Sequence, residues 1–217
     1  MPCNIVVNAC GPHSQSLNLM AGLNKAHKIN TRVLRHEAAQ VFYVGGVKST
    51  VSPVMLYDTD TGSYARNDTL NHILVGGLGA KNDVEIIENP DDFNRSLSAK
   101  ALDPILRLAQ RIPEIGIPNN LPGLADLWDV SDDWIPIYDC TDIRGFFLAT
   151  GTSGNQFKTA PVVGELIAEL IGKVEAGIDH DLSPINFRLP RTGHTINLGF
   201  FSRNRRPNLA SSLSVLG

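Results

Sequence analysis

Apolar and polar positions along the chain change period several times, and each change predicts a different element. "NIVVNACG", residues 4–11, is apolar on both faces and ends in a glycine turn. A run of that kind belongs inside a parallel sheet covered by helices, so it calls for upstream strands and crossovers that these first residues do not contain. Ser14 or Ser16 can then cap a short helix through Leu17 and Met20, with Gly22 as its stop. Partial alternation follows in "AAQVFYV" (38–44), "SPVMLYD" (52–58), "GSYARND" (62–68) and "HILVGG" (72–77), separated by Gly, Asp, Asn and Thr. Short alternating runs between turn residues predict an antiparallel sheet.

From Pro90 to Ile112 the period is helical, with Phe93, Leu97, Leu102, Ile105, Leu106 and Leu108 among charges. Pro104 should kink this helix or begin a second one behind Asp103, and Pro113 ends it. "IGIPNNLPG" (115–123) reads as a loop, "DWIPIYD" (133–139) as a short extended piece that Pro136 bars from a central position, and "GFFLAT" (145–150) as a strand. After the glycine-rich stretch "LATGTSGNQFKTAPVVG" (148–164), Pro161 suits a first helical position. Val163, Leu166, Ile167, Leu170 and Ile171 share one face, and Gly177 is the stop. From about Asp179 onward, loop and tail are expected, and no internal repeat is visible. The pattern combines α/β and α+β features.

Composition narrows the function more than the fold. The chain has 217 residues, is 42% hydrophobic and 19% charged, and carries a formal net charge of -3 without acidic or basic blocks. Nucleic acid and anionic membrane therefore have no evident electrostatic claim on it. The one basic cluster, "SRNRRPN" (202–208), reads as a solvated tail. No run reaches the roughly 20 apolar residues of a membrane span, and no signal peptide opens the chain, so a cytoplasmic location is expected. Cys3, Cys10 and Cys140 are odd in number and lack CxxC spacing, which argues for idle or buried thiols.

The stretch at 148–164 has the outline of a phosphate-binding loop, yet G-x-x-x-x-G-K-S/T requires glycines where Thr152 and Phe157 stand. A Cβ at either place obstructs backbone wrapping around a phosphate. "GGLGAKN" (76–82) fails the dinucleotide fingerprint because Asn82 replaces the third glycine and "DVEII" after it is extended, so a hairpin turn is expected there. The six histidines have no HExxH or other ligand spacing, no metal is expected, and His180 in "DHD" reads as a solvated loop residue. There is no GxSxG elbow. What remains at 148–164 is a strand, a glycine turn and a helix N-terminus with Lys158 beside it. That is either an anion-favouring site or an ordinary strand-turn-helix corner with a surface lysine.

Four segments, in order, resemble one family, the flavin-dependent amine and amino-acid oxidoreductases (D-amino-acid oxidase, sarcosine oxidase and glycine oxidase-like). "IVVNACGPHS" (5–14) is similar to the family's VVNAAGxWS turn, and "GSYARND" with "HILVGG" to its Y-x-R-P hairpin and glycine turn. "DLWDVSDDWIPIYD" (126–139) is similar to Y-x-x-T-P-D-x-x-P-I-x-G, and "GTSGNQFKTAPVVGELIAELI" to G-x-S-G-H-G-F-K-x-A-P-x-x-G, the most specific of the four. The resemblance runs to about Arg188. It implies a remnant of an FAD-binding Rossmann-like domain plus an antiparallel-sheet substrate domain with flanking helices. In those terms 1–28 is the last strand and helix of the FAD-binding domain, 29–120 the substrate-domain sheet and helix, 121–178 the return with the flavin-facing loop, and 179–217 a loop and tail.

The resemblance also implies roles. Gly11, Gly151, Ser153, Gly154, Asn155, Gln156 and Phe157 would lie against FAD, Lys158 would anchor a substrate carboxylate, and Tyr64 and Arg66 would line the pocket or be ordinary hairpin residues. The implied reaction is hydride transfer from a small amine or amino acid to flavin N5, with imine hydrolysis. The family's N-terminal βαβ unit and its G-x-G-x-x-G loop have no counterpart in the sequence, so the chain is expected to be a C-terminal portion. The alternative is a truncated, non-catalytic remnant or a subunit completed by a second chain that carries the dinucleotide-binding half. Asn155 and Gln156 replace His-Gly, Asp132 the proline of T-P-D, Asp139 the glycine of P-I-x-G, and His13 a tryptophan. Where some relatives attach flavin through a cysteine, Asp126 and its neighbours carry no thiol and Cys140 lies on the wrong side of the motif, which implies a non-covalent flavin.

Overall fold

A computed structural model describes residues 3–43, 55–69, 71–79 and 85–216. In chain order the first elements are β1 (Val6–Asn8), α1 (Ser14–Met20), β2 (Thr31–Phe42), β3 (Leu56–Asp58), β4 (Ser63–Thr69) and β5 (His72–Gly77). After them come α2 (Leu102–Ala109), β6 (Gly123–Ser131), β7 (Ile137–Cys140), β8 (Phe146–Thr150), α3 (Ala160–Glu175), β9 (Asn186–Arg188) and β10 (Thr195–Asn197). Two compact units emerge: unit 1 is Met1–Val33 with Trp128–Val215, and unit 2 is Leu34–Leu127. The boundaries fall within β2 and β6. No helix of the described residues is long and apolar enough to cross a membrane.

A five-stranded sheet has the order β3-β4-β5-β2-β6, and β3/β4, β4/β5 and β5/β2 pair antiparallel as the alternation predicts. Within unit 2, Ala39, Val41, Ala65, Ile73 and Val75 pack against Ile105 and Leu108 of α2 and against Ile115. β2 begins well before the 38–44 run. Val44, residues 52–54 of "SPVMLYD", and residues 80–84, which hold the end of "GGLGAKN" and the start of "DVEII", lie outside the described residues.

The helix expected from Pro90 to Ile112 is mostly not one: only Leu102–Ala109 is α-helical, behind a 3-10 turn at Ala99–Ala101. Polar side chains close local turns instead. Ser98 Oγ accepts from the Lys100 N–H (3.3 Å) as the cap at which helical turns begin, and before it Asn89 Oδ1 accepts from the Asp91 N–H (3.1 Å) and Asn94 Oδ1 from the Ser96 N–H (2.9 Å). Such bonds compete with helical ones. Buried Arg35 of β2 draws on the same segment, since its guanidinium donates to the carbonyls of Asn94 and Ser96. Pro104 sits in the first turn of α2, where its missing N–H leaves no bond unmade.

In unit 1, β1 lies parallel to β8 (Val7 opposite Phe147), and β7 runs antiparallel on the other side of β8. Pro136 thus precedes a strand with one partner, as expected. Leu166, Ile167 and Leu170 of α3 pack on Tyr138 and Phe147. Neither Ser14 nor Ser16 caps α1. The chain enters the helix from a 3-10 turn at Gly11–His13, so Ser14 is already helical (φ -58°, ψ -36°) and cannot take the extended shape of a cap. The stops are as expected, with Gly22 at φ +89° and Gly177 at φ +96°.

The segment beyond Asp179 is not a loose tail. β9 and β10 form a hairpin, and Ile185, Phe187 and Leu198 join the core of α3. Two arginines of the "SRNRRPN" cluster, Arg203 and Arg205, are likewise drawn inward to acids, while Arg206 remains exposed. Arg203 bonds Asp139 Oδ2 (3.1 Å) and Asp181 Oδ2 (2.7 Å), while Arg205 bonds Asp133 Oδ1 (2.7 Å). His180 is also buried: its Nδ1 accepts from the Ile185 N–H (3.1 Å), and its Nε2 lies 3.7 Å from Asp139 Oδ1. Burying a charge is tolerable only with such partners. Arg203→Gln should therefore cost about 3–5 kcal/mol. Urea unfolding followed by fluorescence checks this, since both tryptophans, Trp128 and Trp134, belong to unit 1. A loss under about 1 kcal/mol would place Arg203 among weak surface pairs.

Candidate functional site

The glycine-rich stretch begins where β8 ends. Gly151 (φ +66°), Ser153 (φ +51°) and Gly154 (φ +73°) are all left-handed, so the chain reverses within four residues. For Ser153 that conformation costs about 1–2 kcal/mol. Its neighbours hold it there: the Ser153 N–H donates to Asp129 O (2.8 Å) and its hydroxyl to Gly151 O (3.0 Å). The Gly151 N–H donates to the Asp129 carboxylate, and Val130 bridges Thr152. The turn is thus fastened to the end of β6 by main chain and side chain together. Gly154 also lies flush on Trp128, where a Cβ would come within 2.7 Å of the indole.

Past the turn, a 3-10 segment (Gln156–Thr159) leads into α3. Thr159 holds the N-cap position without capping, because its hydroxyl donates to Gln156 O (3.0 Å) and Gln156 Oε1 (2.7 Å) instead. No acidic residue stands in the first turn of α3. The positive end of the dipole therefore meets no carboxylate, although the Ala160 N–H turns back on Phe157 O and Pro161 has no N–H to offer. Buried Tyr138 donates to Gln156 Oε1 (3.0 Å), and burial pushes its phenol above the usual range. An open, largely apolar hollow of about 600 Å³ lies alongside, lined among others by Val7, Ala9, Tyr138, Gly154, Phe157 and Val163.

The sequence-predicted residues divide into three groups. Gly154, Gln156 and Phe157 line the hollow, with Phe157 97% exposed, while Gly151 and Ser153 are buried behind it as supports. Asn155 is half-buried beside Gln156 and Lys158 is exposed on the 3-10 segment. Gly11 is left-handed (φ +55°) with nothing within 4 Å of a Cβ added there. Its turn is held by buried Asn8, whose Nδ2 donates to Ser14 O (2.9 Å) and Asn18 Oδ1 (2.8 Å). Tyr64 and Arg66 belong to unit 2. Tyr64 is buried with its hydroxyl 2.9 Å from His36 Nε2, and exposed Arg66 donates to Asn67 O (3.3 Å).

Asp129, Trp128, Asn8 and Tyr138 were not singled out from sequence. A polar residue in an apolar strand is the only signal Asn8 and Asp129 offered. Burial raises the Asp129 carboxyl to about 7, against the Gly151 N–H and the Thr31 hydroxyl, which favour the charged form. Among the described residues, ligand atoms of Asp139, Cys140 and Asp181 also lie near one another. Arg203 already supplies the positive charge there, and burial with the Asp139 charge pushes the Cys140 thiol up to about 12.

The fit to a flavin can be judged from these features. An apolar hollow and a helix N-terminus without an acidic residue beside it suit a flat ring that gains negative charge at one edge. The fold thus contains a strand-turn-helix corner at the edge of an apolar hollow. Residues 2–170 match the family described as FAD dependent oxidoreductase (DAO), and the chain belongs to that family. No curated protein sequence matches it.

Among solved structures, L-proline dehydrogenase from P. horikoshii is 23% identical, with TM-score 0.61, over 78% of this chain and 43% of that one. Glycine oxidase from Geobacillus kaustophilus is 21% identical, with TM-score 0.55, over 81% and 43%. Amadoriase I, a fructosyl amine:oxygen oxidoreductase from Aspergillus fumigatus, is 13% identical, with TM-score 0.54, over 78% and 40%. These likenesses show the fold, and this chain spans less than half the length of each.

Gly154→Ala should cost about 2 kcal/mol from backbone strain and the clash with Trp128. A shifted indole emission together with a lowered melting temperature is the expected result. The raised carboxyl of Asp129 sets a second expectation, in which its contribution to stability is full below about pH 4 and is lost as pH rises through about 7. Urea unfolding of unit 1 should thus be easier at pH 8 than at pH 5, by on the order of 2–4 kcal/mol. Asp129→Asn should remove most of that difference, and an unchanged difference would assign it to other groups.

Proposed function

We propose that the chain forms the flavin-ring side and substrate side of an FAD-dependent oxidoreductase acting on a small amine or amino acid. The single observation that carries this reading is the N-terminus of α3, with neither an acidic residue nor a side-chain cap, behind the left-handed turn at 151–154. The chemistry that bound FAD would supply is acceptance at N5 of a hydride from the carbon bearing the amine, after which water would hydrolyse the imine. The work of this chain is holding and orienting. The N–H groups of Gly151, Ser153 and Asn155 are engaged within the chain, and in this reading the backbone of Gly154 and Gln156, which lines the hollow, faces the cofactor. Gly11 offers open backbone at the end of β1. Lys158 brings a full positive charge next to the helix N-terminus and serves as anchor for a substrate carboxylate. Tyr64 and Arg66 line the substrate side, and FAD is held without a covalent bond.

In this reading residues 1–28 and 121–178 serve the cofactor and 29–120 the substrate, with 179–217 bracing the cofactor side. A second reading, in which the chain needs another polypeptide to bind FAD, is favoured by one observation. Val7 of β1 is 37% exposed at the edge of its three-stranded sheet, beside the apolar hollow. A βαβ half carrying G-x-G-x-x-G would cover that edge and supply the diphosphate site.

The test is to purify the chain alone and fused or co-expressed with such a half. The chain alone should retain little FAD and oxidise no amine, while the completed protein should be yellow and active. Strong FAD retention by the chain alone would overturn the second reading. In the completed protein, Lys158→Ala should raise KM for an amino-acid substrate about 10- to 100-fold, the worth of one charged hydrogen bond. An unchanged KM would remove Lys158 from the substrate site.

A further inference from the structure

Asp129 stands out among the ionisable groups because no charge answers it. It is 3% exposed. The elements packed against it are the turn after β8, which presents the Gly151 N–H, and β2, which presents the Thr31 hydroxyl. The Thr31 hydroxyl lies outside strict hydrogen-bond geometry but close enough to favour the charged form. Among the described residues, no charged side chain from either element or from β6 itself acts on it. The buried aspartates nearby in sequence are different, since Asp133 has Arg205 and Asp139 has Arg203. A carboxyl in this setting changes charge near neutrality, and its one strong donor is the first N–H of the left-handed turn.

We propose that Asp129 is a positioning residue, a proton-dependent latch that fixes the turn at 151–154 and thereby the backbone it presents to the hollow. Ionised, the carboxylate accepts a charge-assisted hydrogen bond from Gly151 and fixes the start of the turn. Protonated, it is a weaker acceptor, and the turn keeps only its main-chain bonds, Ser153 N–H to Asp129 O and the Val130 bridge to Thr152. The strain at Ser153 and the close approach of Gly154 to Trp128 give the turn a reason to relax when that bond weakens. A consequence for cofactor binding rests on the flavin reading above. The latch itself does not.

The experiment is an amide NMR titration of the full chain, without flavin, from pH 5.5 to 8.5. The Gly151 amide proton should move downfield with a midpoint near pH 7, as its acceptor gains charge. The Gly177 amide, beyond the far end of α3, serves as control and should stay flat. Asp129→Asn should abolish the step, and Thr31→Val, which keeps the carboxyl but removes a group favouring its charge, should raise the midpoint. Should Asp129→Asn fail to fold, the Thr31→Val shift still decides. A Gly151 resonance that stays flat, a step that survives Asp129→Asn, or a midpoint unmoved by Thr31→Val would each overturn the latch. Failure of the completed protein to bind FAD would instead overturn the flavin reading and leave this titration untouched.

Discussion

The hydrogen bond between the buried Asp129 carboxyl and the Gly151 N–H joins the end of β6 to the turn that follows β8. Each side makes the other tolerable. The turn spends about 1–2 kcal/mol on a left-handed serine and needs fastening. The carboxyl would be an unanswered polar group in an apolar interior and needs a donor. From this joint follow the reversal of the chain and the direction from which α3 begins. Trp128, one residue earlier on β6, sets how close Gly154 can come.

A second constraint comes from the C-terminal segment, which is built into unit 1. Arg205 and Arg203 grip Asp133 and Asp139, the acids that bracket the entry to β7. Between them runs Tyr138, whose ring packs 5.2 Å from that of Phe201 and whose hydroxyl meets Gln156. The tail therefore supports the hollow through one tyrosine. Two departures from the family's segment, Asp132 and Asp139, illustrate different outcomes: Asp132 remains in an exposed pair with Arg32, and Asp139 became the centre of a buried ionic cluster.

The site as a whole relies on backbone and dipole rather than on reactive side chains. The helix N-terminus and the backbone of the glycine turn present fixed partial charges beside an apolar wall, and these need little reorganisation when charge develops on a ligand. Such an arrangement suits chemistry carried by a cofactor, where the protein contributes orientation and electrostatics. Membership of the FAD-dependent oxidoreductase family accords with that division of labour.

Several features were legible in the sequence because they are local. The glycine stops Gly22 and Gly177, the β4/β5 hairpin, the apolar face of α3 and the turn at 148–164 depend on backbone freedom and short-range periodicity, which neighbours in sequence carry. The overpredicted helix at 90–112 marks the limit of periodicity: apolar spacing there was real, but Asn side chains and a distant arginine claimed the backbone. The burial of His180, Arg203 and Arg205 could not be read, since a charge looks the same in a sequence whether water or a buried aspartate answers it. Asp129 is the clearest case. The sequence by itself determined the turn and the helix start behind it, whereas only the tertiary structure decided which strand holds that turn, because its partner lies 22 residues away and pairs through burial rather than spacing.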